Sequence, residues 1–559
     1  MVTRSGAEIL VRALSAQGVT TAFGVPGESY LAVLDALCDT NIRFVLCRQE
    51  GGVAFMAEAW GKLTGTPGIA FVTRGPGATN AAIGVHTAMQ NSSPMILFVG
   101  QIETGMRERE AFQEVDYRAA FGPIAKWATE IESADRVAEV VARAWHTALS
   151  GRPGPVVVAL PEDVLSAMHE SVVHEAPIRP AWPGVDPMSI ERARAALDAA
   201  ERPVVLLGGG GWDIEGRGGR KALRAFQQFC ERAHLPVVVT FRGQDLIDNR
   251  SDAYIGDAGF GMAPHVRDVL DRSDLILAVN IRFGETATDG YTLFGLPTPE
   301  QRLIHVHPSD RELGKVYQTP DTVHASPAAF LAQLSETTVQ VPKARIAWAT
   351  EARGAFTDTF DLPPQPGALD MGVVMAHLRE VLPEDAIIAN GAGNFAIWPG
   401  RLLHYSHKRR LLAPQSGAMG AGLPAAIAAR IAEPNRLVLC FAGDGDIQMT
   451  MQELGTAMQA SAQPIVLVLN NGSYGTIRMH QEKHYPGRVS GTELENPDFV
   501  AIGRAYGMHA ERVETAEDFV AAFERARASG TGALLEMMID KEAITPRKTL
   551  SEIRAAAMT

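Results

Sequence analysis

Residues 437–473, LVLCFAGDGDIQMTMQELGTAMQASAQPIVLVLNNGS, decide how this chain folds. The apolar run Leu437–Ala442 ends on Gly443-Asp444-Gly445. A second run, Ile465–Leu469, opens after Pro464 and ends on Asn470-Asn471-Gly472-Ser473. Between them Ile447, Met451, Leu454 and Met458 fall at the spacing of one buried helical face. Strand, helix and strand of this length predict a right-handed βαβ unit with parallel strands. Both polar clusters then lie at the carboxyl edge of one sheet, where open α/β sheets place their ligands.

The two clusters carry a specific chemistry. Asp444 offers a carboxylate, Asn471 an amide oxygen and Ser473 a backbone carbonyl on a turn. Mg2+ takes hard oxygen ligands in near-octahedral geometry, completed by water and phosphate oxygens. Gly443 and Gly445 let backbone N–H groups approach an anion, and a helix expected to begin near Asp446 points its positive end at it. The stretch reads as a site for a Mg2+-bound diphosphate. Each turn alone is ordinary loop sequence; their pairing across one helix carries the reading.

Working outward, 559 residues predict about three domains. Hydrophobic residues make up 46% and charged residues 21%, an ordinary globular composition. A net charge of −13 gives no electrostatic footprint for nucleic acid, and no apolar run reaches the length of a membrane span. Met1–Ser5 leads into an amphipathic helix without the apolar core of a signal peptide. Cys38, Cys47, Cys230 and Cys440 sit in or beside apolar stretches without CxxC spacing, which predicts buried free thiols and a cytoplasmic location.

Residues 1–170 alternate helix and strand patterns, with strands expected at Thr21–Gly24, Phe44–Cys47, Ile69–Thr73 and Met95–Gly100. A proline-rich linker follows within 171–190, and a second α/β domain spans 188–340. Its strands are expected at Pro203–Leu207, Val237–Val239, Leu275–Val279 and Leu303–Val306. The pattern breaks again over 338–368, and a third domain covers 368–545. The predicted fold class is therefore α/β, with three doubly wound parallel-sheet domains.

Two further features invite a chemical reading. Glu50 is either a helix-start acid favoured by the dipole or a carboxyl at a sheet edge able to share a proton with a ring nitrogen. Met419 is either a core methionine or a large apolar side chain presented by the tight turn Gly417-Ala418-Met419-Gly420, whose carbonyls lie bare beside it.

With these segments in place, the chain resembles the thiamine-diphosphate-dependent enzymes, specifically their acetolactate synthase-like branch. The resemblance runs through RQEGGVAFMAEAWGKLTG (48–65), TRGPGATNAAIG (73–84), AFQEVDY (111–117), SGAMGAGLPAA (416–426) and the GDG…NN stretch. It implies pyrimidine-binding, central and diphosphate-binding domains in that order. It implies Mg2+ ligation by Asp444, Asn471 and the Ser473 carbonyl, with Gly391, Asn394, Gly443, Gly445, Asp446, Tyr474, Gly475 and Thr476 around the diphosphate. Glu50 would bond the aminopyrimidine, the Gly417 carbonyl would accept from its 4′-amino group, and Met419 would bend the cofactor. Catalysis would run through a C2 ylid and an enamine on 2-oxo acids or acyloins, and Gln113 is counted with Glu50, Gly417 and Met419 among the candidate catalytic residues. Glu50 and the diphosphate site come from different subunits in this family, so a homodimer is the minimum active unit and a homotetramer is expected, with small-molecule substrates, no nucleic acid and no membrane.

The departures concern the substrate. Acetolactate synthases carry Arg-Phe-Asp-Asp-Arg in the central domain; this chain has Arg282-Phe283-Gly284-Glu285-Thr286. Glu28 replaces the second glycine of a Pro-Gly-Gly turn, and His480 stands where a tryptophan is usual. Val25, Gly27, Glu28, Phe112, Gln113, Ile477 and His480 are the expected pocket residues. A 2-hydroxyacyl-CoA lyase or oxalyl-CoA decarboxylase is the alternative within the class; it would need a basic ADP pocket. An oxidoreductase built on Gly208-Gly209-Gly210-Gly211 is the alternative outside it, but that loop lacks GxGxxG spacing. FAD or ADP in the central domain is not favoured, and no metal is expected at His305 and His307, which lack further ligands.

Overall fold

The computed structural model describes residues 2–559 apart from 172 and 175. Three six-stranded sheets carry the chain, and every neighbouring strand pair within them is parallel. The first is ordered Arg43–Leu46, Thr21–Gly24, Gly68–Val72, Met95–Gln101, Pro155–Pro161, Trp127–Glu130. The second is ordered Tyr254–Ala258, Val237–Thr240, Pro203–Leu207, Leu275–Val279, Arg302–His307, Asp321–His324. The third is ordered Arg410–Leu412, Ile387–Asn390, Val438–Gly443, Ile465–Asn470, Ala533–Met538, His509–Val513.

Numbered along the chain within each sheet, the first and third both run 2-1-3-4-6-5, and the second runs 3-2-1-4-5-6. The second order reverses direction once; the first and third reverse at the same place and again between their last two strands. The crevice at the first reversal is where doubly wound sheets take ligands. In the first sheet the crevice lies between the loops after Gly24 and Val72; in the third, between those after Asn390 and Gly443.

The first and third domains share one apolar core. Helix α1 (Glu50–Thr64) packs against α2 (Gly75–Asn91) and α3 (Gly422–Ala432). Val53, Ala54 and Ala57 of α1 and Ala426 and Ile427 of α3 belong to the same buried cluster. Alanine and glycine at these positions allow close approach: a Cβ on Gly84 of α2 would lie 2.3 Å from the Ala54 Cβ.

Several expectations are corrected. The helix after Asp444 is not continuous: one turn at Asp444–Ile447 gives way to a 3-10 turn at Met451–Glu453 and a helix at Leu454–Ala460. Thr450 leaves the helical conformation and donates its hydroxyl to the Gly420 carbonyl at 2.7 Å, and Met458 turns outward at 39% exposure. The stretch 338–368 contains a helix, Lys343–Thr357, whose Trp348, Ala352 and Phe356 join the central core. Cys38 is exposed; the other three cysteines are buried, and all four are free. Val2–Ser5 pairs antiparallel with Met168–Ser171, an addition to the otherwise parallel scheme. Among the described residues no helix is long and apolar enough to cross a membrane.

Candidate active site

The carboxyl edge of the third sheet is built as the sequence implies. Parallel register sets Gly443 opposite Leu469, so Asp444 and Asn470-Asn471 leave adjacent strand ends together. Asp444 is buried; its Oδ2 accepts from Asn496 Nδ2 at 2.7 Å and its Oδ1 from the Gly445 N–H at 3.1 Å. Burial pushes its carboxyl up, and hydrogen bonds from Asn496 and the N–H groups of Gly445, Gly472 and Ser473 pull it back. These partners are an amide and backbone N–H groups, with no cation among them. A desolvated carboxylate left without positive charge suits a hard divalent ion.

Asn471 Oδ1 accepts from the Ser473 N–H at 3.1 Å, and the Ser473 carbonyl accepts from Gly475 N–H at 2.8 Å with its second lone pair free. The turn is pinned from outside: Ser473 Oγ and Tyr474 N–H both donate to the Thr492 carbonyl, at 2.9 Å each. Gly445 is required here, because a Cβ would lie 2.4 Å from the Tyr474 ring. Asn394 and Thr476 hold each other through Asn394 N–H to Oγ1 (2.8 Å) and Thr476 Oγ1 to Oδ1 (2.9 Å).

The Asp446 side chain is engaged by backbone. Its carboxylate is buried and turned inward, where Oδ1 accepts from the N–H groups of Ala392 (3.0 Å) and Gly420 (2.9 Å). It ties the loop after Asn390 and the Gly417–Gly420 turn to the GDG strand, so its carboxylate positions neighbours of the site. A side chain at Gly391 would collide with this carboxylate. Gly417 adopts φ +66° with open space beside it, and Met419 is half-buried on the same turn. The one-turn helix at Asp444 supplies N–H groups but little of the long-helix dipole expected.

Glu50 lies at the edge of the first sheet, opening α1 under the Gln49 side chain, which caps Gly51 and Gly52. Its Oε2 accepts from Asn80 Nδ2 at 2.9 Å, and its Oε1 faces Gly77, where a Cβ would lie 3.3 Å away. Buried Glu453 fastens this turn by accepting from the Arg48 N–H. Around it stand Val25, whose carbonyl accepts from the Tyr30 hydroxyl, Gly27 against Thr73, Glu28, and Gln113, whose carbonyl accepts from Gly75 N–H at 3.1 Å. Phe112 projects at 71% exposure.

Ile477 and His480 lie elsewhere, on α4 (Gly475–His484), with Ile477 56% exposed and His480 stacked on His484. Within one chain the two groups are attached to α2 at different places. Glu50 Oε1 lies beside Gly77, whereas the Gly417 turn is fastened through Ser416 to Thr87, ten residues further along α2. Ten helical residues span roughly 15 Å.

The central crevice is filled from within. Trp212 Nε1 donates to the Gly208 carbonyl at 3.0 Å, and Cβ atoms on Gly209 or Gly210 would strike the Asn280 and Ser92 carbonyls. Lys126, Arg152, Arg217 and Arg282 gather there, but they donate to the carbonyls of Thr147, Ser150, Met89, Gly151, Gly211 and Gln90. Burial lowers His305 to about 4 and His307 to about 3, so both are neutral. Among the described residues no group of three or more His, Cys, Asp or Glu is arranged to hold a metal.

Asn496 escaped the sequence reading. It lies fifty-two residues beyond Asp444 in an irregular segment, and no spacing signals it.

Comparison with known proteins identifies the domains that carry these residues. Residues 4–120 match the N-terminal TPP binding domain of thiamine pyrophosphate enzymes, 190–334 their central domain and 391–537 their C-terminal TPP binding domain. The acetolactate synthase large subunit of Corynebacterium glutamicum is 32% identical over 94% of this chain and 84% of its own length. The acetolactate synthase isozyme 2 large subunit of Escherichia coli is 29% identical over 96% of both. The mitochondrial acetolactate synthase catalytic subunit of Saccharomyces cerevisiae is 29% identical over 96% of this chain and 81% of its own. The chain is a thiamine-diphosphate-dependent enzyme and belongs to the acetolactate synthase-like branch of the thiamine pyrophosphate enzyme family.

Proposed function

We propose that this enzyme makes or breaks a carbon–carbon bond beside the carbonyl of a 2-oxo acid or an acyloin, as a carboligase or decarboxylase. The observation that carries the reading is the buried Asp444 carboxylate, partnered only by neutral donors and set beside the Asn471 amide and the Ser473 carbonyl. These three would hold Mg2+. Gly443, Gly445, Gly391, Asn394, Tyr474, Gly475 and Thr476 would surround the diphosphate, with the Gly417 carbonyl and Met419 against the rings. Bound thiamine diphosphate supplies a carbon nucleophile and an electron sink.

The chain's own part is orientation, proton control and exclusion of water. Glu50, with Oε2 occupied by Asn80 and Oε1 open beside Gly77, holds a proton at the ring nitrogen. The 15 Å or so of α2 between the two half-sites supports a homodimer in which Glu50 of one copy serves the third sheet of the other, built further into a homotetramer. The units are taken as 1–170, 188–340 and 368–545. The cations at the central crevice bond mostly to carbonyls, with Arg152 also paired to Glu312, and FAD, ADP and an acyl-CoA tail are not favoured there.

Oxidation of a heat-released extract to fluorescent thiochrome tests for the cofactor, and a panel of pyruvate, glyoxylate, aldehydes and acyl-CoAs tests the substrate. Product from 2-oxo acids or acyloins supports the reading; turnover restricted to acyl-CoAs overturns it.

A further inference from the structure

Glu28 and Arg74 occupy the switch-point crevice of the first sheet, one on the loop after Gly24 and the other on the loop after Val72. The Arg74 guanidinium is buried, with a side-chain exposure of 10%. Its Nη2 donates to Glu28 Oε1 at 2.5 Å, its Nη1 lies 3.0 Å from Glu162 Oε1, and its buried Nε has no partner. The Phe112 ring covers it at 5.9 Å. Glu28, by contrast, presents a side chain that is 67% exposed. The place is contiguous with Glu50: Gly27 abuts Thr73, Gly75 bonds Gln113, and Gly77 abuts Glu50.

One guanidinium here faces more than one acid. Glu28 and Glu162 both pair with Arg74, and burial, Glu103, Glu28 and Asp163 raise the Glu162 carboxyl against the pull of Arg74. The exposed face of the pair is therefore a carboxylate, with the cation sealed behind it. Arg282, the one central-domain arginine retained from the family's motif, is spent on the Gln90 carbonyl.

We propose that Glu28, held in place by Arg74, determines substrate specificity: it receives an uncharged, hydroxyl-bearing end of the substrate and repels a second carboxylate. The inference deepens the proposed function and rests on it. Glu28 accepts a hydroxyl through its free oxygen, and Arg74 holds the other oxygen in place. An anion arriving at this wall meets Glu28 first; the guanidinium that would attract it is already neutralised. Glu28 adds the second acid to a guanidinium shared with Glu162; removing that one unit charge about 6 Å from an anion, at an effective dielectric of about 40, changes affinity by about tenfold.

The test uses the thiamine diphosphate–Mg2+ holoenzyme and its Glu28→Gln and Glu28→Gly variants, whose exposed position leaves the core intact. Calorimetric titration with oxamate, an inert 2-oxo acid analogue, and with dihydroxyacetone, a neutral hydroxylated ketone, reads binding directly. Both variants are expected to bind oxamate about tenfold more tightly than the parent, with the gain shrinking at high salt. Dihydroxyacetone affinity is expected to stay level or fall. Oxamate affinities within twofold of the parent overturn the inference. Thiochrome content separates the failures: equal cofactor with unchanged oxamate binding sinks the role of Glu28 alone, whereas absence of cofactor sinks the functional reading and this inference with it.

Discussion

Asp444 and Glu50 are both acids at the carboxyl ends of parallel strands, and their surroundings give them different work. Asp444 is desolvated and gripped by Asn496 and backbone N–H groups, so its charge is complete only with a cation beside it. Replacing it by alanine removes the one anionic oxygen of the proposed ligand set. Asp444→Ala is expected to leave the fold intact and to abolish Mg2+-dependent retention of thiamine diphosphate, read by thiochrome after gel filtration. Equal retention with and without Mg2+ in the parent protein contradicts the assignment. Glu50 keeps one oxygen on Asn80 and leaves the other beside a glycine, where the proposed function needs it to meet the ring nitrogen. Asp446 shows the opposite outcome for a residue of the same type two positions away: both its bonds go to backbone, and it acts by holding loops together.

At the scale of elements, the C-terminal helix α5 (Leu550–Met558) is fastened to α4 by one acid. Glu482 accepts from Arg554 Nε at 2.7 Å and Nη2 at 2.8 Å, and its Oε1 lies 2.7 Å from Arg478 Nη2. The Arg554 hydrogen bond is the largest influence holding its carboxyl down to about 2, with the Gly487 N–H and the Arg554 and Arg478 charges assisting against desolvation. Because the folded value lies below the ordinary one of 4.5, the stabilisation is complete above that value and is lost as pH falls from about 4.5 to about 2. Limited proteolysis should therefore release the C-terminal helix progressively across that window, and Glu482→Gln should release it at neutral pH at a cost of about 3 kcal/mol. A helix equally protected at pH 7 and pH 3 contradicts this.

The sequence made the central strands of each sheet legible, because buried parallel strands are continuous apolar runs ended by glycine or asparagine. Pro203–Leu207 and Leu275–Val279 fall where the pattern puts them. The edge strand His509–Val513 reads HAERV, half polar because one side meets solvent, and Arg410–Leu412 is only three residues long; neither leaves a comparable run. Within the site, the glycine turns and Asp444 were legible because chemistry demands those residue types at those places. Asn496, Glu453 and Arg74 were not, since their partners lie across chain separations that no local spacing encodes.

At the scale of the whole molecule, the central domain is held to the third by a buried ionic cluster. Arg410 Nε lies 2.6 Å from Asp245 Oδ2 and Arg410 Nη2 lies 2.9 Å from Asp213 Oδ2, with Arg220 reaching both acids. Burial works to raise the Asp245 carboxyl, but Arg410 and Arg220 prevail and hold it below its ordinary range. Arg410→Met strands two acids against Arg220 alone and is expected to cost about 3–5 kcal/mol. Calorimetry should show the central domain unfolding as a separate transition, and a single unchanged transition contradicts the coupling.

The larger claim is that the catalytic apparatus is divided between two copies, since roughly 15 Å of α2 separates Glu50 from the Gly417 turn in any one of them. Mixed dimers of Glu50→Gln and Asp444→Ala chains measure this directly, with hydrogen–deuterium exchange at thiamine C2 as the readout. If Glu50 acts in trans, each mixed dimer holds one intact site, and a statistical mixture regains about a quarter of the parent rate. If both residues act in the same chain, every site in the mixture carries a defect, and the rate stays at that of the single variants.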